Sequence, residues 1–284
     1  MEPSQIAPES TPPTYRSLRV SREESIAEVV LIGPGKGNAM GPDFWRELPQ
    51  VFATLEQDDA IRAVIIRGEG QHFSYGLDLP AMLTEPEFNV TGTNLAAERT
   101  RLYDTILRLQ EAISSVSACR KPVIAAVSGW CIGGGLDLIA ACDIRLCSAD
   151  ARFSLREVKV AIVADLGSLQ RLPHIIGEGH TRELALTGKD IDATRAERIG
   201  LVNEVFETPD ALLTAARETA RQIAANPPIV VQGVKRVLEE CRDKSVADGL
   251  RYVAVWNAAF LQSHDLTEAF QSFITHRPPK FQGR

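Results

Sequence analysis

Two copies of one short pattern constrain this chain more than any other feature. "RAVIIRG" (62–68) runs into "HFSYGLDL" (72–79), and "KPVIAAVSG" (121–129) runs into "CIGGGLDL" (131–138). An apolar run, a glycine-bearing turn and Gly-Leu-Asp-Leu thus recur 59 residues apart. Short, nearly continuous apolar runs read as strands buried on both faces. The glycines after them read as tight turns that open helices. A repeated strand–turn–helix unit predicts stacked turns of one superhelix rather than two unrelated domains.

The flanking sequence fits that expectation. "SLRVSREESIAEVVLIGP" (17–34) reads as a hairpin around Arg22 to Glu24, and "PDFWRELPQVFATLEQDD" (42–59) as a helix that Pro49 should kink or split. Leu102, Ile106, Leu109 and Ile113 have helical spacing within 93–118, and "DIRLCSADARFSL" (143–155) gives two short strands. From Ser168 the chain turns helical, with Pro227 and Pro228 fitting a helix start. The expected organisation is a disordered tail over 1–16, an α/β core over 17–205 and a helical C-terminal region over 206–284.

Several function classes are disfavoured. A net charge of −6 offers no broad basic surface for nucleic acid or an anionic membrane. The longest apolar stretch, Pro122 to Gly135, is too short to span a bilayer. The five cysteines (119, 131, 142, 147, 241) lack CxxC spacing, and His72, His174, His180, His264 and His276 lack HxxxH spacing, so a metal site has little support. "GPGKGNAM" (33–40) is not a phosphate-binding P-loop, and neither GxGxxG after a strand nor GxSxG occurs. The opening "MEPSQIAPESTPPTY" lacks the basic and apolar segments of a signal or transit peptide, and the closing "QGR" is no peroxisomal tripeptide. A cytoplasmic setting is therefore expected.

Glycines before a helix let a ligand approach backbone N–H groups, where the helix dipole adds positive character. Two such turns converging on one point would make an oxyanion hole. The plainer alternative is two tight turns, with Asp78 and Asp137 placed near first helical turns for dipole reasons. Downstream, Glu157 sits in a polar break after a strand. Asp165 lies among Val163, Ala164 and Leu166, so it is paired, a helix N-cap, or tuned for proton transfer. Three acids around one enolate would form acid/base pairs with separated proton affinities.

"HFSYGLDL", "KPVIAAVSGWCIGGGLDLIAACDIRLCSADARFSLREV" and "LGSLQRLP" together resemble the crotonase superfamily, the enoyl-CoA hydratase/isomerase group, from about Leu18 to Arg284. The resemblance implies an α/β superhelix of ββα turns with a helical C-terminal trimerisation region. It implies a homotrimer or homohexamer that binds an acyl-CoA thioester, with coenzyme A as part of the substrate and no separate cofactor. Asp137, Glu157 and Asp165 together resemble the Δ3,5-Δ2,4-dienoyl-CoA isomerase branch. By that resemblance Glu157 and Asp165 are the acid/base pair, Asp137 supports them, and the N–H groups of Leu77 and Gly134 hold the thioester oxygen. Lys36, Asn38, Ala39, Ser74, Tyr75, Gly76, Asp78 and Gly135 are the expected substrate-binding positions, with Lys280 and Phe281 at the nucleotide end. "YVAVWNAAFLQSHD" (252–265), with Trp256 and Asn257, also resembles the branch, although Trp256 reads equally as core packing. A hydratase or other acyl-CoA lyase of the same fold is the alternative, and a non-catalytic CoA- or RNA-binding member a further one.

Overall fold

The structure, a computed structural model, describes residues 14–33, 36–88 and 95–284; most of the expected N-terminal tail lies outside these. The elements in chain order are β1 (Leu18–Glu23), β2 (Ile26–Leu31), α1 (Pro42–Gln57), β3 (Ala63–Gly68), the single turn α2 (Leu79–Met82) and α3 (Ala96–Ala118). They continue with β4 (Val123–Val127), β5 (Trp130–Ile132), α4 (Gly134–Ala140), β6 (Ile144–Ser148), β7 (Arg152–Ser154) and α5 (Ser168–Thr187). Next come β8 (Asp190–Asp192), α6 (Ala193–Arg198), β9 (Glu204–Phe206), α7 (Pro209–Ala224), α8 (Pro228–Glu240), α9 (Val246–Phe260) and α10 (His264–Thr275).

Strands β1-β2-β3-β4-β6-β9 form one sheet in that order, antiparallel only between β1 and β2. A second, smaller sheet has the order β5-β7-β8 and is extended by parallel bridges Ser74–Cys131 and Met40–Leu77. Each winding of the chain therefore adds one strand to the large sheet and one short extended piece to the small one. This is the expected superhelix.

Alternation along the strands explains their unbroken apolar character. Val64, Ile66, Val123, Ala125 and Val127 join the main core with α1, α3, α4 and α5 residues. Ala63, Ile65, Ile124 and Ala126 face the other way, against Leu212, Ala216 and Ala220 of α7. A strand covered on both faces needs no polar side. On that second face, Glu28 is buried in β2 and takes Arg217 at 2.6 Å and Arg67 at 3.3 Å. Helix α7 thus packs on the core sheet although it lies beyond residue 205, and the helices without such cover begin at α8.

Helix α1 runs unbroken through Pro49. Its apolar stripe of Phe44, Trp45, Leu48, Val51, Phe52 and Leu55 is buried, and this anchorage outweighs the one backbone hydrogen bond that a proline removes. The C-terminal tail folds back on its own chain. The N–H groups of Gln282 and Gly283 donate to buried Asp265, that of Lys280 to Glu268, and the Phe281 carbonyl accepts from Arg62.

Candidate active site

The two glycine turns touch. Gly76 has φ +80°, and a Cβ there would stand 2.5 Å from the Ile132 carbonyl oxygen and 3.0 Å from the Gly134 nitrogen. Only a residue without a side chain permits that approach. The Met40–Leu77 bridge uses the Gly76 carbonyl and the Asp78 N–H, and the Leu77 N–H has no acceptor among the described residues. The Gly134 N–H, first in α4, likewise donates to no acceptor among the described residues. Both residues line a cavity of about 500 Å³ together with Tyr75, Trp130, Glu157 and Asp165. Two adjacent free N–H donors on a cavity wall suit an oxygen that gains negative charge.

The repeated letters do different jobs in the two copies. In the first, Leu77 is a bridge residue and Asp78 is the N-cap of α2, accepting the Ala81 N–H at 3.1 Å. In the second, Gly135 to Leu138 lie inside α4, and Asp137 is wholly buried. Asp137 Oδ1 accepts the Ser168 N–H at 2.6 Å, at the start of α5. That bond also decides the options for Asp165: the α5 N-terminus is served by Asp137, and its N-cap residue is Gly167.

The three acids share one region, and all are held above their ordinary proton affinities. Burial pushes Asp137 up to about 6, with Ser168 pulling it down and the Asp165 charge adding to the rise. Glu157 is pushed up to about 7, mainly by burial and then by the negative charges of Asp137 and Asp165. Burial also raises Asp165. Groups tuned toward neutrality in a cleft are equipped to exchange protons near physiological pH. Glu157 opens a short 3-10 turn (Glu157–Val160) and its carboxylate reaches back to Gly133. Asp165 lines the same cavity, its carbonyl held by Gln110 of α3 at 2.7 Å.

The other expected positions divide. Tyr75 lines the cavity and stacks on His72 with ring centroids 5.1 Å apart. The Asn38 amide is spent on the carbonyls of Glu69, His72 and Phe73, and the Ser74 hydroxyl donates to the Asn38 carbonyl and accepts the Gly76 N–H. Those two residues shape the loop. Gly135 lets α4 close on Ser74, Lys36 is exposed, and Ala39 is half-buried. Trp256 packs on Gly233 and Phe260, away from the cavity.

Sequence reasoning missed Trp130, Arg156, Val160 and Ile162, which also line the cavity. Arg156 lies 5.2 Å from the Trp130 ring centre and pairs with Asp190 at 2.8 Å. The exposed apolar residues Val160 and Ile162, adjacent to an acid, carried the available signal.

The stacked ββα turns and the acid-lined cavity beside two free N–H groups define an enzyme class that works by proton transfer on a substrate with a polarised oxygen. The chain belongs to the enoyl-CoA hydratase/isomerase family, whose model matches residues 21–284. It is 44% identical to a mitochondrial Δ(3,5)-Δ(2,4)-dienoyl-CoA isomerase of Dictyostelium discoideum, over 99% of each chain. It is 43% identical to the human mitochondrial enzyme of the same name, over 94% of this chain and 82% of that one. A peroxisomal enzyme of that name from Arabidopsis thaliana is 41% identical, over 94% and 98%. Among solved structures, an enoyl-CoA hydratase from Bacillus anthracis superposes with a TM-score of 0.85 at 28% identity, over 95% of this chain and all of that one. An enoyl-CoA hydratase/carnithine racemase from Magnetospirillum magneticum gives 0.82 at 32%, over 95% and 97%. The mitochondrial and peroxisomal designations of these relatives overturn the expectation of a cytoplasmic setting. Composition and terminal segments were too indirect a guide to compartment. No helix among the described residues is long and apolar enough to cross a membrane.

Proposed function

We propose that this protein converts a 3,5-dienoyl-CoA to the 2,4-dienoyl-CoA by proton transfer through a dienolate. The thioester oxygen sits between the N–H groups of Leu77 and Gly134, which take up its charge as the C2 proton leaves. Glu157 removes that proton. The electron pair spreads from C2 through the two double bonds toward C6, where Asp165 delivers a proton, leaving double bonds at C2 and C4. Return of the proton from Glu157 to Asp165 resets the pair, which titrates as a coupled unit. Coenzyme A runs from the loop at Lys36 to Ala39 along Tyr75 and Gly76, and no separate cofactor takes part.

One observation carries the assignment of Glu157 to C2: its Oε1 stands 3.2 Å from the Cβ position of Gly133, one residue from the Gly134 donor. That nearness to the Gly134 donor supports Glu157 as the base for the carbon adjoining the thioester carbonyl. Asp165 lines the same cavity, which supports it as the acid that serves the distal carbon. Asp165 is also the residue that addition of water to a 2-enoyl thioester would leave without a task.

The helices after Pro227 support a homotrimer or homohexamer. Val230, Val234, Leu238, Val255, Phe270, Phe273 and Ile274 are all exposed on α8, α9 and α10, more apolar surface than a solvated helical region ordinarily carries.

Asp165→Asn and Glu157→Gln variants assayed with a medium-chain 3,5-dienoyl-CoA test the reading. Each should lose isomerase turnover by about 10³-fold or more while retaining CoA binding by calorimetry. Unchanged turnover in Asp165→Asn would sink it.

A further inference from the structure

Four buried side-chain oxygens among the described residues lack a protein hydrogen-bond partner, and three belong to the acid cluster: Asp137 Oδ2, Glu157 Oε2 and Ser168 Oγ. Buried polar atoms are normally paired, so a group of orphans marks a place where protons or hydrogen bonds change partners. Ser168 is the unassigned member. It is wholly buried, it opens α5, and its N–H already holds Asp137 Oδ1 at 2.6 Å. Its hydroxyl lies beside the same carboxylate, near enough to favour the anion, yet outside hydrogen-bonding geometry in this arrangement. A serine hydroxyl turns about its Cα–Cβ bond and can donate to an acceptor beside it.

We propose that Ser168 is a positioning residue: through its N–H and its hydroxyl it holds Asp137 as the anion of the buried pair and thereby sets the basicity of Glu157. This deepens the dienoyl-CoA isomerase reading and rests on it for its role in turnover. A carbon acid demands a stronger base than a free carboxylate, and a fixed negative neighbour in a dry site supplies that strength. The other groups facing Asp137 are Arg171 on α5, the helix of Ser168, Asp165 and Glu157 on the segment before α5, and the Cys131 thiol of β5, kept neutral by burial. From α3 come the neutral Gln110 and Ser114, which hold the Asp165 carbonyl and Arg171. Among these groups, only Ser168 donates a hydrogen bond to the carboxylate of Asp137.

The test is a carbon-13 carboxyl titration of the free full-length protein by NMR, for the parent, Ser168→Ala, Asp137→Asn and the double variant, with Ser168→Thr as the variant that restores a hydroxyl. Thermal unfolding confirms that each is folded. Removing the hydroxyl should raise the titration of Asp137 and lower that of Glu157, each by about half a pH unit or more. The acid limb of kcat/KM should move to lower pH with Glu157. In the Asp137→Asn background, Ser168→Ala should shift nothing further, because the effect passes through Asp137. Superimposable titrations of parent and Ser168→Ala would overturn the proposal, and so would an equal shift with Asp137 absent. A purely structural hydroxyl would instead leave both titrations in place and, being an orphan, stabilise the protein on removal. If the titrations shift as stated but the parent is silent toward dienoyl-CoA, the isomerase reading fails while the acid-pair device stands.

Discussion

A methyl group placed on Gly133 would stand 3.2 Å from Glu157 Oε1, at a backbone φ of +52°. The strand-to-helix turn and the Glu157 carboxylate are therefore fitted to each other. Gly133→Ala should cost about 1–3 kcal/mol of stability from the left-handed backbone. It should also displace the carboxylate, lowering kcat about 100-fold with KM little changed. Steady-state kinetics on the folded variant check this, and an unaltered kcat would show that the turn does not position the base.

The same carboxylate sets a pH dependence of stability. Glu157 is raised to about 7 from an ordinary 4.5, so between those values the folded state binds more protons than the unfolded chain. Its contribution is fully favourable below 4.5 and is lost as the pH rises through about 7. Glu157→Gln should accordingly raise the melting temperature at pH 8 and give little gain at pH 4.5. Equal gains at both pH values would contradict the burial of an ionised group.

Lys235, its side chain 8% exposed, joins α8 to the core through an ammonium bonded to Asp143 at 2.8 Å and to the Lys121 carbonyl at 3.1 Å. Asp143 also accepts the Val123 N–H at 2.7 Å. Asp143→Ala leaves that ammonium buried and unpaired and should destabilise by about 3–5 kcal/mol in denaturant unfolding. Lys235→Met, which removes the charge and keeps the stem, should cost distinctly less.

The apolar surface of α8 to α10 should be covered by other copies of the chain. Light scattering coupled to size exclusion is expected to give three or six chains, and Phe273→Glu, with Phe273 80% exposed in the single chain, should shift the distribution toward monomer. A parent that elutes as a monomer would contradict this.

Much of this architecture was legible before any coordinates. The runs 62–68 and 121–129 announced doubly covered strands because both faces of the sheet are covered, by the main core and by α7. Asp165 stood out because an acid in apolar company needs employment, Glu157 because it sits in a polar break after a strand, and Asp137 because it follows the glycine run. What the letters concealed was register. Gly-Leu-Asp-Leu is a bridge and a cap in one copy and helix interior in the other, a difference set by one turn of chain geometry rather than by residue type. The role of Ser168 was equally hidden, since its bond to Asp137 spans 31 residues and depends on how α5 is docked. Asn38 and Ser74 were expected at the substrate through the family resemblance, and the letters did not show that their side chains bond to backbone carbonyls and an amide within the loop.

The most direct measurement is ultraviolet absorbance of the purified protein with a medium-chain 3,5-dienoyl-CoA, run beside a 2-enoyl-CoA control. The expected result is growth of the conjugated 2,4-dienoyl thioester band with little loss of the enoyl signal. A silent dienoyl sample with rapid loss of the enoyl band would contradict the isomerase and make the protein a hydratase.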